Sequence, residues 1–221
     1  MTAVDTVRNI IASTWSGGIQ REREYYGSIE FKLKGYPWNA HGTEAVTSRQ
    51  LMSCLLAALF QQGWMLTMST DVSKCVSDAD TLLFRHQSPG PAACDWMAIS
   101  FSNSDQIRFI TQPVNNSSSE VVNAYIASLG NAVQRHEPHK VPGCYEVKLV
   151  GNPWRASGGG TMSARMLLLT LLNTLERFGW TVYGSVDQKR QSDGESQSGD
   201  TDTWHCCRQI GWHPGMPVYH N

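Results

Sequence analysis

The chain has no apolar run long enough to cross a bilayer. Its longest, Leu167–Leu172, is interrupted by Thr170 and sits in a helical pattern. It has no excess of charge: 18 Lys and Arg against 19 Asp and Glu give a net charge of -1 and a pI of about 6.6. That balance provides no electrostatic footprint for nucleic acid or an anionic membrane. Aromatics interleaved with bases, as on an RNA-binding sheet, are also missing, since Phe101 and Phe109 have only Arg108 nearby. Asp5 and Arg8 stand where a secretory signal would place its apolar core, so the expected location is cytoplasmic or nuclear. The six cysteines are then read as reduced thiols.

Catalytic signatures are equally scarce. Neither G-x-S-x-G nor H-E-x-x-H occurs. Gly158-Gly159-Gly160-Thr161 precedes a helical pattern but lacks the Gly-Lys-Ser/Thr ending of a phosphate loop. His205, Cys206, Cys207 and His213 are the one dense group of soft ligands. Adjacent residues on a strand point to opposite faces, so Cys206 and Cys207 cannot chelate together. No catalytic residue, metal or cofactor is assigned.

What the chain does contain is a repeat. Gly27-Ser-Ile-Glu-Phe-Lys-Leu-Lys-Gly-Tyr-Pro-Trp38 returns as Gly143-Cys-Tyr-Glu-Val-Lys-Leu-Val-Gly-Asn-Pro-Trp154, and the register holds without a gap to Asp71 and Asp187. Of these 45 aligned positions 18 are identical, and a period this long implies two related domains rather than a solenoid.

Each stretch begins with a strand. Ile29, Phe31 and Leu33 alternate with Glu30 and Lys32, as Tyr145, Val147 and Leu149 do with Glu146 and Lys148. Gly-x-Pro-Trp then ends the strand. Apolar residues at three- and four-residue steps predict helices near 44–62 and 161–178, with Gly63 and Gly179 placed for left-handed caps. Second strands follow at Trp64–Thr70 and Trp180–Val186, and third strands at Thr81–His86 and Thr203–Arg208. After the first stretch comes a hairpin, Trp96–Phe101 with Gln106–Gln112, and a helix opened by Ser117 and Glu120 and closed by Gly130.

The expected fold is therefore α+β. Residues 1–19 form an N-terminal amphipathic helix and linker, 20–135 a first repeat domain, and 136–221 a second. Each domain is a mainly antiparallel sheet with a helix on one face, the second truncated to about three strands. The polar loop 188–202 holds too little apolar surface to offset its ordering entropy and is expected to be disordered. Within it Ser192 and Ser196 have acid- and glutamine-directed phosphorylation contexts.

The candidate binding residues are Ile11 and Trp15 on the N-terminal helix, and Trp38 and Trp154 of the Pro-Trp pairs. For the tryptophans the competing structural role is to plug the end of a sheet. Glu30, Arg49 and Asp71, recurring as Glu146, Arg165 and Asp187, suit an Arg–carboxylate brace between helix and sheet. The function expected is a non-catalytic protein-interaction or adaptor module with a protein partner. A small-molecule or lipid binder and an enzyme with its site between the two copies are the alternatives.

Overall fold

In the computed structural model, which describes residues 2–72, 79–112, 118–188 and 201–218, the first amphipathic segment is helix α1 (Ala3–Thr14). Its start is a capping box: the Thr2 hydroxyl accepts from the Asp5 amide at 3.1 Å, and the Asp5 carboxylate accepts from the Thr2 amide at 3.0 Å. Strands β1 (Ile19–Tyr25) and β2 (Ser28–Leu33) form an antiparallel ribbon. The two-residue turn between them needs positive φ, supplied by Tyr26 (47°) and Gly27 (76°). A 3-10 turn at Pro37–Asn39 leads into α2 (Gly42–Gln61), and the Ser48 hydroxyl of that helix donates to the Pro37 carbonyl at 2.6 Å. A second ribbon, β3 (Trp64–Thr70) with β4 (Thr81–His86), completes the set.

The chain divides into two units, Met1–Ala92 with Val186–Asp200, and Ala93–Ser185 with Thr201–Asn221. The first holds the elements above. One face of α1 and α2 packs on β2 there, with Ile11, Trp15, Leu33 and Leu51 buried together.

The second unit begins with the hairpin β5 (Cys94–Ser102) and β6 (Gln106–Thr111), followed by α3 (Ser119–Leu129). Then come β7 (Val133–Pro138), β8 (Cys144–Leu149), a 3-10 turn at Pro153–Arg155, α4 (Gly160–Arg177), β9 (Thr181–Val186) and β10 (Thr203–Gln209). Its strands make one six-stranded antiparallel sheet in the order β7-β8-β6-β5-β10-β9. Met97, Ile99, Ile107, Phe109, Val147 and Leu149 bury against Val121 and Tyr125 of α3 and Leu171 and Leu175 of α4.

The hairpin and α3 lie in the second unit, and the hairpin sits between β8 and β10. Among the described residues the first unit has two separate ribbons, β1-β2 and β3-β4. The physical reason is in β5 itself. Its run Trp96-Met-Ala-Ile99 is apolar on both faces, which suits the middle of a sheet and not an edge.

The order helix, strand, strand, 3-10 turn, helix, strand, strand starts at Ala3, and again at Ser119 with one further 3-10 turn, Gly130–Ala132, after the helix. The β1-β2 and β7-β8 ribbons even shift register at like points, between Ile19 and Arg21 and between Val133 and Arg135. Among the described residues no helix is long and apolar enough to cross a membrane. Ser192, Ser196 and most of the 188–202 loop lie outside the described residues.

Candidate functional site

Two of the candidate binding residues belong to a core. Ile11 and Trp15 are 3% and 6% exposed, and the Trp15 indole donates to the Lys34 carbonyl at 2.8 Å. The N-terminal helix is thereby tied to the end of β2.

Trp38 and Trp154 stand at like points in the two stretches but differ in what they hold. The Trp154 ring meets Phe101 edge-on at 5.1 Å, and its Nε1 donates to the Gln106 carbonyl at 3.0 Å. It locks the turn of the β5-β6 hairpin to the end of β8. Trp38 packs beside the first unit's core, and its indole nitrogen makes no hydrogen bond among the described residues.

The six residues of the expected brace make the following contacts. Glu30 is held by its own ribbon, with Arg23 at 2.5 Å and Arg21 at 3.4 Å. Glu146 is nearly buried and takes Arg108 of β6 at 2.8 Å. Arg49 donates to the Ala45 carbonyl of its own helix at 2.9 Å. Arg165 is exposed, with Nη1 3.5 Å from the Met162 sulfur. Asp71 is exposed too, while the Asp187 amide donates to the Asp80 carboxylate at 2.9 Å. The strand carboxylates thus find arginine across the sheet, where pairing distance is short.

Sequence reasoning missed a surface on α4. Met162, Met166 and Leu169 are 58%, 58% and 57% exposed, and steps of four and three put them on one side of the helix. Counting from Gly27 and Gly143, their counterparts on α2 are Val46, Gln50 and Ser53, which are 0%, 8% and 5% exposed. The same helical positions are covered in one stretch and bare in the other. The signal was available as three apolar residues outside the Leu168, Leu171, Leu175 pattern.

One cleft of the second unit, of about 390 Å³, is lined by Arg108, Arg135, His139, Lys140, Glu137 and Glu146. Burial, and then the charge of Arg108, holds the His139 imidazole pKa below its ordinary value, so neutral pH favours the uncharged ring there. Arg108 pairs with Glu146 at 2.8 Å and Arg135 with Glu137 at 3.5 Å, so Lys140 is the lining cation without an ion pair among the described residues. Another, of about 300 Å³, lies between the start of α3 and β8 and includes Phe109, Val122 and Tyr145.

The soft ligands do not converge. Cys206 faces the core, where burial pushes its thiol pKa up, and Cys207 faces the other way. The Cys207 thiol hydrogen-bonds to Cys94 of the neighbouring strand, which lowers the Cys94 pKa and raises that of Cys207. His213 is exposed. Among the described residues no three His, Cys, Asp or Glu side chains are grouped so as to hold a metal ion.

Neither a curated protein nor a solved structure matches the chain. One protein-family model, described as that of a domain and naming no activity, matches residues 1–85 and 95–207. With most of its length covered by that match, the chain belongs to this domain family.

Proposed function

We propose that the chain is a non-catalytic protein-interaction module built from two related copies of one α+β domain. The observation that carries the reading is the α4 stripe. Met162, Met166 and Leu169 are exposed at positions whose α2 counterparts are covered. Three large apolar side chains on one helical face form a surface of the kind that partners bury, and methionine adapts well to varied partner shapes. An amphipathic helix or an apolar strand face would cover it.

The test replaces Met162, Met166 and Leu169 together by Glu in the full chain. All three are exposed, so circular dichroism and melting should stay at the unaltered chain's values, while proteins co-purified from the native cell should be lost. An unchanged set of partners with an intact fold would reject the stripe as the binding surface.

A second reading is binding of a small anionic molecule. It rests on Lys140, which has no ion pair among the described residues, with the neutral His139 ring beside it in the polar cleft.

A further inference from the structure

We infer that the first unit accepts a β-hairpin from a partner polypeptide along the free edge of β2, in the place that β5-β6 takes beside β8. This rests on the interaction reading and names a second surface with a defined chemistry.

The second unit shows what such a hairpin does. β8 is paired on both sides, by β7 and β6, and β10 by β9 and β5. The hairpin turn is held at five points, one of them the Ser104 hydroxyl donating to the Asn152 side-chain carbonyl at 2.8 Å. The Leu149 amide donates to the Asp105 carbonyl at 2.7 Å, and the Trp154 amide to the Ser104 carbonyl at 3.0 Å. The Trp154 indole reaches the Gln106 carbonyl, and Lys148 Nζ lies 3.5 Å from the Asp105 carboxylate.

The first unit has most of these fittings without the hairpin, the exception being Tyr36 where the second unit has Asn152. Among the described residues β2 is paired with β1 alone, and β4 with β3 alone. The counterparts of Leu149, Trp154 and Lys148 are Leu33, Trp38 and Lys32. The Lys34 amide donates to the Gly18 carbonyl at 3.1 Å, matching Val150 to Ala132 at 2.8 Å. Neighbouring amides of a strand point opposite ways, so that of Leu33 faces the open edge, as Leu149's faces Asp105. Lys32 is exposed and has no ion pair among the described residues. The Trp38 indole likewise has no acceptor among them.

The apolar side of β2 is also incompletely covered. In the second unit Phe109 and Ile107 of β6 stand opposite Tyr145 and Val147. The β2 residues at those positions are Ile29, 42% exposed, and Phe31. A strand added at this edge would extend the ladder and bury them, which is the mode of β-augmentation.

These fittings specify the partner. It is a short-turned hairpin with strands of about six residues, a usual strand length. Its apolar residues alternate to meet Ile29 and Phe31, its turn offers carbonyls to Leu33 and Trp38, and an acidic side chain at the turn meets Lys32. The outer face of the β1-β2 ribbon carries Arg21, Arg23 and Lys32 against Glu30, so acidic residues suit the partner's outward positions.

The probe is a backbone-cyclised peptide of residues 93–112, which carries the chain's own hairpin sequence, added to the full chain. One-to-one binding is expected, with slowed hydrogen exchange over Ser28–Leu33. Lys32→Glu in the chain should weaken binding about tenfold, and Asp105→Lys in the peptide should restore it. The proposal is overturned by no binding, by protection confined to the second unit, or by affinity indifferent to Lys32→Glu. It is overturned equally if the chain dimerises with β2 protected, because the edge then belongs to a second copy. If the peptide fails while the α4 stripe variant loses its partners, the interaction reading stands and the hairpin does not.

Discussion

Trp154→Phe and Trp38→Phe make the same chemical change at like points of the two stretches and should differ in cost. At Trp154 the phenyl ring still meets Phe101, whose centroid is 5.1 Å from that of the indole, but the Nε1 donor disappears. Gln106, 8% exposed, loses the 3.0 Å bond to its carbonyl. Leaving a buried acceptor unsatisfied costs about 1–3 kcal/mol. The smaller ring adds about 1 kcal/mol of lost burial. At Trp38 only the second contribution applies, since no acceptor is orphaned. The Trp154 variant should therefore be less stable than the Trp38 variant by about 1–3 kcal/mol. That is about 4–8 °C of melting temperature per kcal/mol for a domain of up to about 100 residues. Two units need not unfold together, so residue-resolved hydrogen exchange in urea is the suitable assay, read at Val147 and Leu149 for one unit and Leu51 for the other. Equal costs, or a larger one at Trp38, would refute the view that Trp154 anchors a hairpin that Trp38 lacks.

Gly179→Ala should cost about 2–4 kcal/mol, combining a strained left-handed backbone with overpacking. Its φ is 78°, and an added Cβ would stand 2.2 Å from the Trp212 ring. Gly151→Ala, at the same φ but with nothing within 4 Å, should cost only about 1–2 kcal/mol by chemical denaturation. The Asp5 carboxyl should titrate at about 2 by NMR, below its usual 3.8, because of hydrogen bonds from Thr2 first and Arg8 second. Its contribution to stability is therefore complete above about 3.8 and lost as pH falls through about 2, and Thr2→Val should raise the midpoint more than Arg8→Ala. Among the five described cysteines, Cys94 should alkylate fastest at neutral pH by mass spectrometry, and Cys207→Ala should slow it.

Elements whose apolar residues repeat with one period were legible in the sequence. The alternation Ile29, Phe31, Leu33 became β2, and the Leu55, Leu56, Leu59 pattern became α2, within two residues of the expected ends. Strands β1 and β7 were not legible. Gln20-Arg-Glu-Arg-Glu24 and Gln134-Arg-His-Glu137 have no apolar alternation, and the ribbons are held instead by cross-strand charge such as Arg23 with Glu30. The recurring Gln-Arg pairs, Gln20-Arg21 and Gln134-Arg135, were the available clue. Strand order was hidden for another reason. The β5-β6 hairpin follows the first stretch in sequence but pairs with β8 and β10, and non-local pairing leaves no periodic trace. Of the candidate site, Trp38 and Trp154 were visible as a repeated pair. Their difference was not, because it lies in the presence or absence of a neighbour.

Hydrogen exchange at the amides of Leu33 and Leu149 in the chain alone reads the β2 edge itself. The Leu149 amide is bonded to Asp105 inside a six-stranded sheet, and the Leu33 amide faces an open edge. Leu33 should exchange about a hundredfold faster or more, and so should the other edge-facing amides of β2 relative to those of β8. Equal, slow exchange at both positions would show that the β2 edge is already closed, and would contradict the account.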